Sequence, residues 1–196
     1  MLIPLLVLVL NASVALASLA LANCALASPA NYTLQPASSV VGFETDFGSD
    51  KITGQMPISR ADLTLDFQNV SASRVAVTLD VAHADASFPF AAQAMKGPKV
   101  LDSRDFPHIS FESTSVKSKG EGAEVSGRVT IRGVTKPMVM QAMIWRQKGH
   151  EAGDLSHLTI RLTGALNRSD FGAVGWSDMV GDQVRLDILA RIARSE

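Results

Sequence analysis

Apolar and polar positions alternate with a period of two along most of the chain. The plainest case is Glu124–Trp145, where Val125, Gly127, Val129 and Ile131 share one face and Glu124, Ser126, Arg128, Thr130 and Arg132 the other. Such a period predicts a strand with one buried and one wet face. Gly133-Val134-Thr135-Lys136 reads as the turn, with Pro137 opening the next strand because it lacks an N–H for a ladder. Met138, Met140, Ala142 and Ile144 then form an inner face, while Val139, Met143 and Trp145 make the outer face nearly as apolar. This two-sided strand points to a covered outer face. The cover is either a short helix at 88–96 or a partner subunit, for which a symmetric homodimer is the commonest arrangement.

The same alternation predicts strands over Ser39–Phe47, Lys51–Met56, Ala61–Phe67, Arg74–Val81, His108–Val116, Leu158–Leu166 and Gln183–Ile192. Asn31–Pro36 reads as a lead-in pinned by Tyr32 and Leu34. Polar tips are expected at Lys117–Gly122 and Gly149–Asp154, and a long loop at Asn167–Asp182. Phe88–Lys96 has strong helix formers, no β-branched residue and a Gly97-Pro98 stop, which predicts one short helix. The fold class is therefore all-β, with about eight or nine antiparallel strands. A closed barrel or a two-layer sandwich would each bury one apolar face per strand, and the barrel is favoured because it hides the edges a single open sheet would expose. A barrel of eight strands is wide enough to hold one small or elongated ligand.

Composition narrows the function. With 18 basic and 19 acidic residues the net charge is -1, and the basic residues are spread singly, so nothing points to nucleic acid. No charged side chain precedes Glu44, and residues 1–27 read as an export segment whose Ala25-Leu26-Ala27 suits cleavage before Ser28. A retained anchor and lipidation at Cys24 are the alternatives. Residues 28–196 then form a single exported domain. Cys24 is the only cysteine, so the cleaved domain has neither disulfide nor thiol chemistry.

Three segments carry a family likeness. Gly133–Pro137 behind the strand Val125–Arg132, the run Leu101–Ser113 (LDSRDFPHISFES), and Asn167–Gly172 with Val180–Val184 together resemble the YceI-like family, in consistent order from about Tyr32 to Ile192. The resemblance implies a lipocalin-like barrel in the periplasm, with a lengthwise cavity for a polyisoprenoid or another long-chain amphiphile. It gives no cofactor, and membrane enters only as the source of the lipid. The cavity lining expected on this basis is Phe88, Phe90, Met95, Phe106, Ile109, Phe111, Met138, Met140, Phe171 and Trp176, whose aromatic and methionine side chains suit a lining that adapts to a chain. Arg104, His108 and Arg168 are the head-group candidates at a barrel mouth. Core packing is the competing assignment for each apolar residue named.

Catalytic signatures are few. His83, His108, His150 and His157 lack a neighbour at metal-ligand spacing, and neither a Gly-x-Ser-x-Gly elbow nor a glycine-rich phosphate loop occurs. An enzyme at the barrel mouth would need His108 gathered with Asp105 or Asp170, with shifted titration. A ligand-free structural protein would need a filled barrel.

Overall fold

A computed structural model describes residues 28–196; the export-segment reading of residues 1–27 lies outside the described residues. The strands are β1 (Ala30–Leu34), β2 (Val40–Phe47), β3 (Asp50–Met56), β4 (Ile58–Leu65), β5 (Arg74–Asp80) and β6 (Asp85–Ala86), followed by helix α1 (Pro89–Lys96). Then come β7 (His108–Lys119), β8 (Gly122–Ile131), β9 (Val134–Arg146), β10 (His157–Asn167) and β11 (Val180–Arg194). All pair antiparallel, and the pairing of β1 with both β4 and β11 closes the sheet into a barrel.

Eight staves make the barrel, because two of them are broken strands. β1 and β2 both run along β11, with Leu34 opposite Ile192 and Val40 opposite Leu189, and a 3-10 turn at Pro36–Ser38 takes up the slack between them. β3 and β4 are one strand bent at Pro57: β3 pairs with β2, and β4 with β1 and β5. Proline suits such a corner because it has no N–H to leave unpaired. Past the bend β3 leaves β5, and residues 81–107, including β6 and α1, fill the gap at that end. The loop after β10 covers the same end. Residues 66–73 and 147–156 close the opposite end.

The segment Asn31–Pro36, read as a lead-in, supplies the closing strand. With five residues and a single buried one, Tyr32, its own alternation is too short to declare a strand. The hairpin turn is also moved from its expected place. It is Arg132-Gly133, both with positive φ (52° and 73°), so β9 begins at Val134 and Pro137 sits within it, opposite Arg128. Two left-handed residues match the right-handed twist of a tight hairpin, which a four-residue turn at 133–136 would not. Pro137 is tolerated because β9 meets β10 only from Gln141 onward, leaving that edge unpaired alongside the proline. The tip expected over Lys117–Gly122 shrinks to Gly120-Glu121, and β11 begins at Val180, inside the expected loop.

The predicted inner faces are buried: Val125, Val129, Ile131, Met138, Met140 and Ala142 all point inward. The outer side chains Val139, Met143 and Trp145 stay exposed. α1 does not cover them, since it packs on β6 at the barrel end. Elsewhere the outer wall is ionic. Arg161 forks onto Asp187 (2.8 and 2.6 Å), and Arg185 meets Glu44 (2.9 Å) and Asp46, so β10, β11 and β2 are laced in register. Each exposed pair contributes little alone.

Candidate functional site: a lengthwise apolar cavity

The inward side chains of all eight staves do not meet in the middle. They surround a cavity of about 1110 Å³, above the roughly 300–1,000 Å³ of ordinary small-molecule sites. On β10 the lining runs from Leu158 to Leu166, about 26 Å of strand at roughly 3.3 Å per residue. Strand tilt shortens this along the barrel axis. The cavity is thus elongated, and its wall is almost wholly hydrocarbon.

Polar groups reaching the wall are already engaged. The Thr45 hydroxyl lies between the carbonyls of Gly181 and Gln183, 3.0 Å from each. It fills the irregularity where β11 slips register against β2 between Val180 and Val184. Asp66 accepts from the amides of Gln68 and Asn69, and Ser73 exchanges hydrogen bonds with the Asp66 backbone. Among the described residues, no buried side-chain nitrogen or oxygen lacks a partner. An occupant of this interior meets hydrophobic surface along most of its length, with the charged Glu121 and Arg146 at the far mouth.

Arg168 shows why the head-group expectation fails inside. Its guanidinium is buried and donates to the carbonyls of Ala173, Gly175 (2.8 Å), Val180 (2.9 Å) and Gly181 (2.9 Å), tying the loop after β10 to the start of β11. Four of its five N–H donors are so occupied, which leaves one at most and no bidentate fork for a phosphate or carboxylate. His108 begins β7, where alternation turns Ile109 inward and His108 out to solvent; it does not line the cavity. Arg104 is an exposed turn residue that also misses the lining.

Of the expected lining, Phe88, Phe90, Met95, Ile109, Phe111, Met138, Met140, Phe171 and Trp176 do face the cavity. Phe106 does not: its ring lies over Gly133, outside the barrel, where it props the β8–β9 turn. Phe111 has its ring flat along the wall because Gly127 on β8 makes room; a Cβ there would stand 2.4 Å from the ring. Other lining residues were not singled out from sequence. Phe43, Phe47, Val184 and Leu186 were visible as inward positions of their strands, whereas Trp145 and Leu155 reach the lining only through the way the far end folds.

That far mouth is held by polar contacts. The buried Tyr32 donates its hydroxyl to the Leu155 carbonyl (2.9 Å), and burial pushes its titration up. Asp154, bonded to Ser156 and to His150, is held down to about 2. The rings of His150 and His157 stack at 4.5 Å. At the other end, His108, Asp105 and Asp170 are all exposed, and no hydrogen bond joins them. No three His, Cys, Asp or Glu side chains gather as a metal site among the described residues.

A family model for the YceI-like domain matches residues 32–192, nearly the whole described barrel. The chain belongs to the YceI-like family. Proteins called Protein YceI from Salmonella arizonae and Salmonella paratyphi B are each 33% identical over 84 residues. That stretch spans 43% of this YceI-like chain and 44% of each relative. Among solved structures, Burkholderia cenocepacia BcnA superposes with a TM-score of 0.72 at 20% identity, covering 81% of this chain and 99% of the other. A polyisoprenoid binding domain from Saccharophagus degradans, implicated in plant cell wall breakdown, gives 0.61 at 10% identity, covering 85% and 99%. At such identities these neighbours show the YceI-like barrel and nothing finer.

Proposed function

We propose that this YceI-like protein binds and carries a long-chain amphiphilic lipid, a polyisoprenoid or a similar chain, held lengthwise in the barrel without chemical change. One observation carries the reading: an elongated cavity of about 1110 Å³ whose wall offers hydrocarbon and no unpaired buried polar group. Burial of the tail drives binding, at about 0.8 kcal/mol for each methylene withdrawn from water. Such a wall discriminates by length and girth, because apolar contacts carry no directional code. Any polar head is left at a mouth, since the interior would leave it unpaired at a cost of several kcal/mol. The polyisoprenoid-binding neighbour agrees with this choice of occupant. In the same reading the chain is exported to the periplasm and cleaved after Ala27, which an intact mass beginning at Ser28 would support.

Titrating delipidated protein with a long-chain prenol while following tryptophan emission tests the binding. Trp176 lines the cavity and Trp145 its far rim, so a saturable change is expected, abolished by a bulky Met140→Trp block at mid-barrel. An emission that never changes, or one that Met140→Trp leaves intact, would count against a lipid in the lumen.

A further inference from the structure

Both ends of the cavity show apolar side chains to solvent, Trp145 (47%) and Leu155 (39%) at the far rim and a larger cluster at the α1 end. At the α1 end, Phe88 is 45% exposed, Phe90 73%, Val174 57% and Met179 49%. Backbone contacts place them around one opening. Ser87 donates to the Thr53 carbonyl (2.7 Å), which sets Phe88 beside β3. Gly48 donates to the Met179 carbonyl (3.1 Å), which sets Met179 beside the β2–β3 turn. Gly175 donates to the Lys99 carbonyl (2.8 Å), which brings Val174 against the turn that follows α1. Phe88, Phe90 and Met179 also line the cavity, so one unbroken apolar surface runs from solvent, over the rim, into the lumen.

We infer that this rim is a membrane-docking surface: Phe88, Phe90, Val174 and Met179 enter the interfacial layer of a lipid bilayer, with the cavity mouth facing the membrane. The inference rests on the lipid-carrying reading above and says where the cargo is exchanged. Exposed aromatic and aliphatic side chains in one patch mark a surface that meets something apolar. The cavity running through its centre decides which partner. A lipid tail leaving the bilayer passes along Phe90 and Phe88 to Met95 without crossing water, whereas a protein seated there would stopper the opening. Charge narrows the membrane further. At this end the exposed Asp50, Asp85, Asp105, Asp170 and Asp178 outnumber Lys51, Lys96, Lys99 and Arg104, so no net positive field draws anionic lipid. Docking is then driven by burial of apolar side chains and is indifferent to salt.

The test is flotation of the purified chain with vesicles of phosphatidylcholine alone, at low and high salt. Wild type co-floats at both. Phe90→Asp combined with Val174→Asp lowers the bound fraction at least tenfold, and Val139→Asp, on the barrel flank, leaves it unchanged. Failure of wild type to float, equal loss with Val139→Asp, or binding confined to anionic vesicles and lost in salt would overturn the inference. So would sedimentation showing a wild-type dimer that the rim variant splits, because the rim would then be a contact between copies. Uptake of a dissolved fluorescent fatty acid separates this from the carrier reading. Val174→Asp, outside the lining, should keep uptake while losing vesicle binding about threefold or more. Wild-type vesicle binding without any uptake would sink the carrier reading and leave the docking surface standing.

Discussion

Arg168 is the residue whose environment says most. Its planar fork reaches four carbonyls at once, and lysine, with a point charge on a flexible stem, cannot reproduce that geometry. Arg168→Ala should lower unfolding free energy by about 3 kcal/mol, because buried carbonyls lose their donors. Arg168→Lys should recover only part of it, and chemical denaturation would measure both. Gly127 offers a second case. Gly127→Val drives the Phe111 ring off the wall and into the lumen and crowds the Glu112 carbonyl, costing about 3 kcal/mol of stability by overpacking. It should also shorten the longest prenol the protein accepts, in competition measurements across chain lengths. Sequence shows that position 168 is an arginine beside turn residues; only the path of the loop from Ala173 to Gly181 shows that its charge is spent inside. Phe106 has the same lesson, since a phenylalanine beside Pro107 reads as lining until the Arg132-Gly133 turn is seen beneath it.

Elements with a clear period were legible. β8, the inner face of β9, β10 and β11 show their faces in the sequence because each buries one side for ten or more residues. What alternation does not reveal is continuity across a break: β1 with β2, and β3 with β4, are single staves interrupted at Pro36–Ser38 and at Pro57, and their partners lie far along the chain. Hence the barrel was predictable and its closing strand was not. The loop at 147–156 has its own chemistry. Asp154 is held at about 2, below the ordinary 3.8, by Ser156 and His150. A depressed folded-state value means its contribution is complete above pH 4 and is lost as pH falls from 4 towards 2. Protection of the Ser156 amide, its exchange measured relative to the intrinsic rate at each pH, should therefore fall over that window, and Asp154→Asn should flatten the change. Protection that is constant across the window would show that Asp154 does not hold the loop.

At the scale of the molecule, the barrel separates two tasks. The outer wall carries the ion pairs that keep β10, β11 and β2 in register, and the inner wall carries hydrocarbon around an open lumen. A core this hollow forgoes packing that would otherwise stabilise the fold, so an occupant that fills it should raise the melting temperature, increasingly as its free concentration exceeds the dissociation constant. The measurement that bears most directly on this account is mass spectrometry of the organic extract of natively purified protein, with the extracted lipid quantified against protein. Close to one long-chain isoprenoid or fatty amphiphile per barrel is expected. A lipid-free extract, from protein that also refuses added prenol and does not gain melting temperature with it, would contradict it.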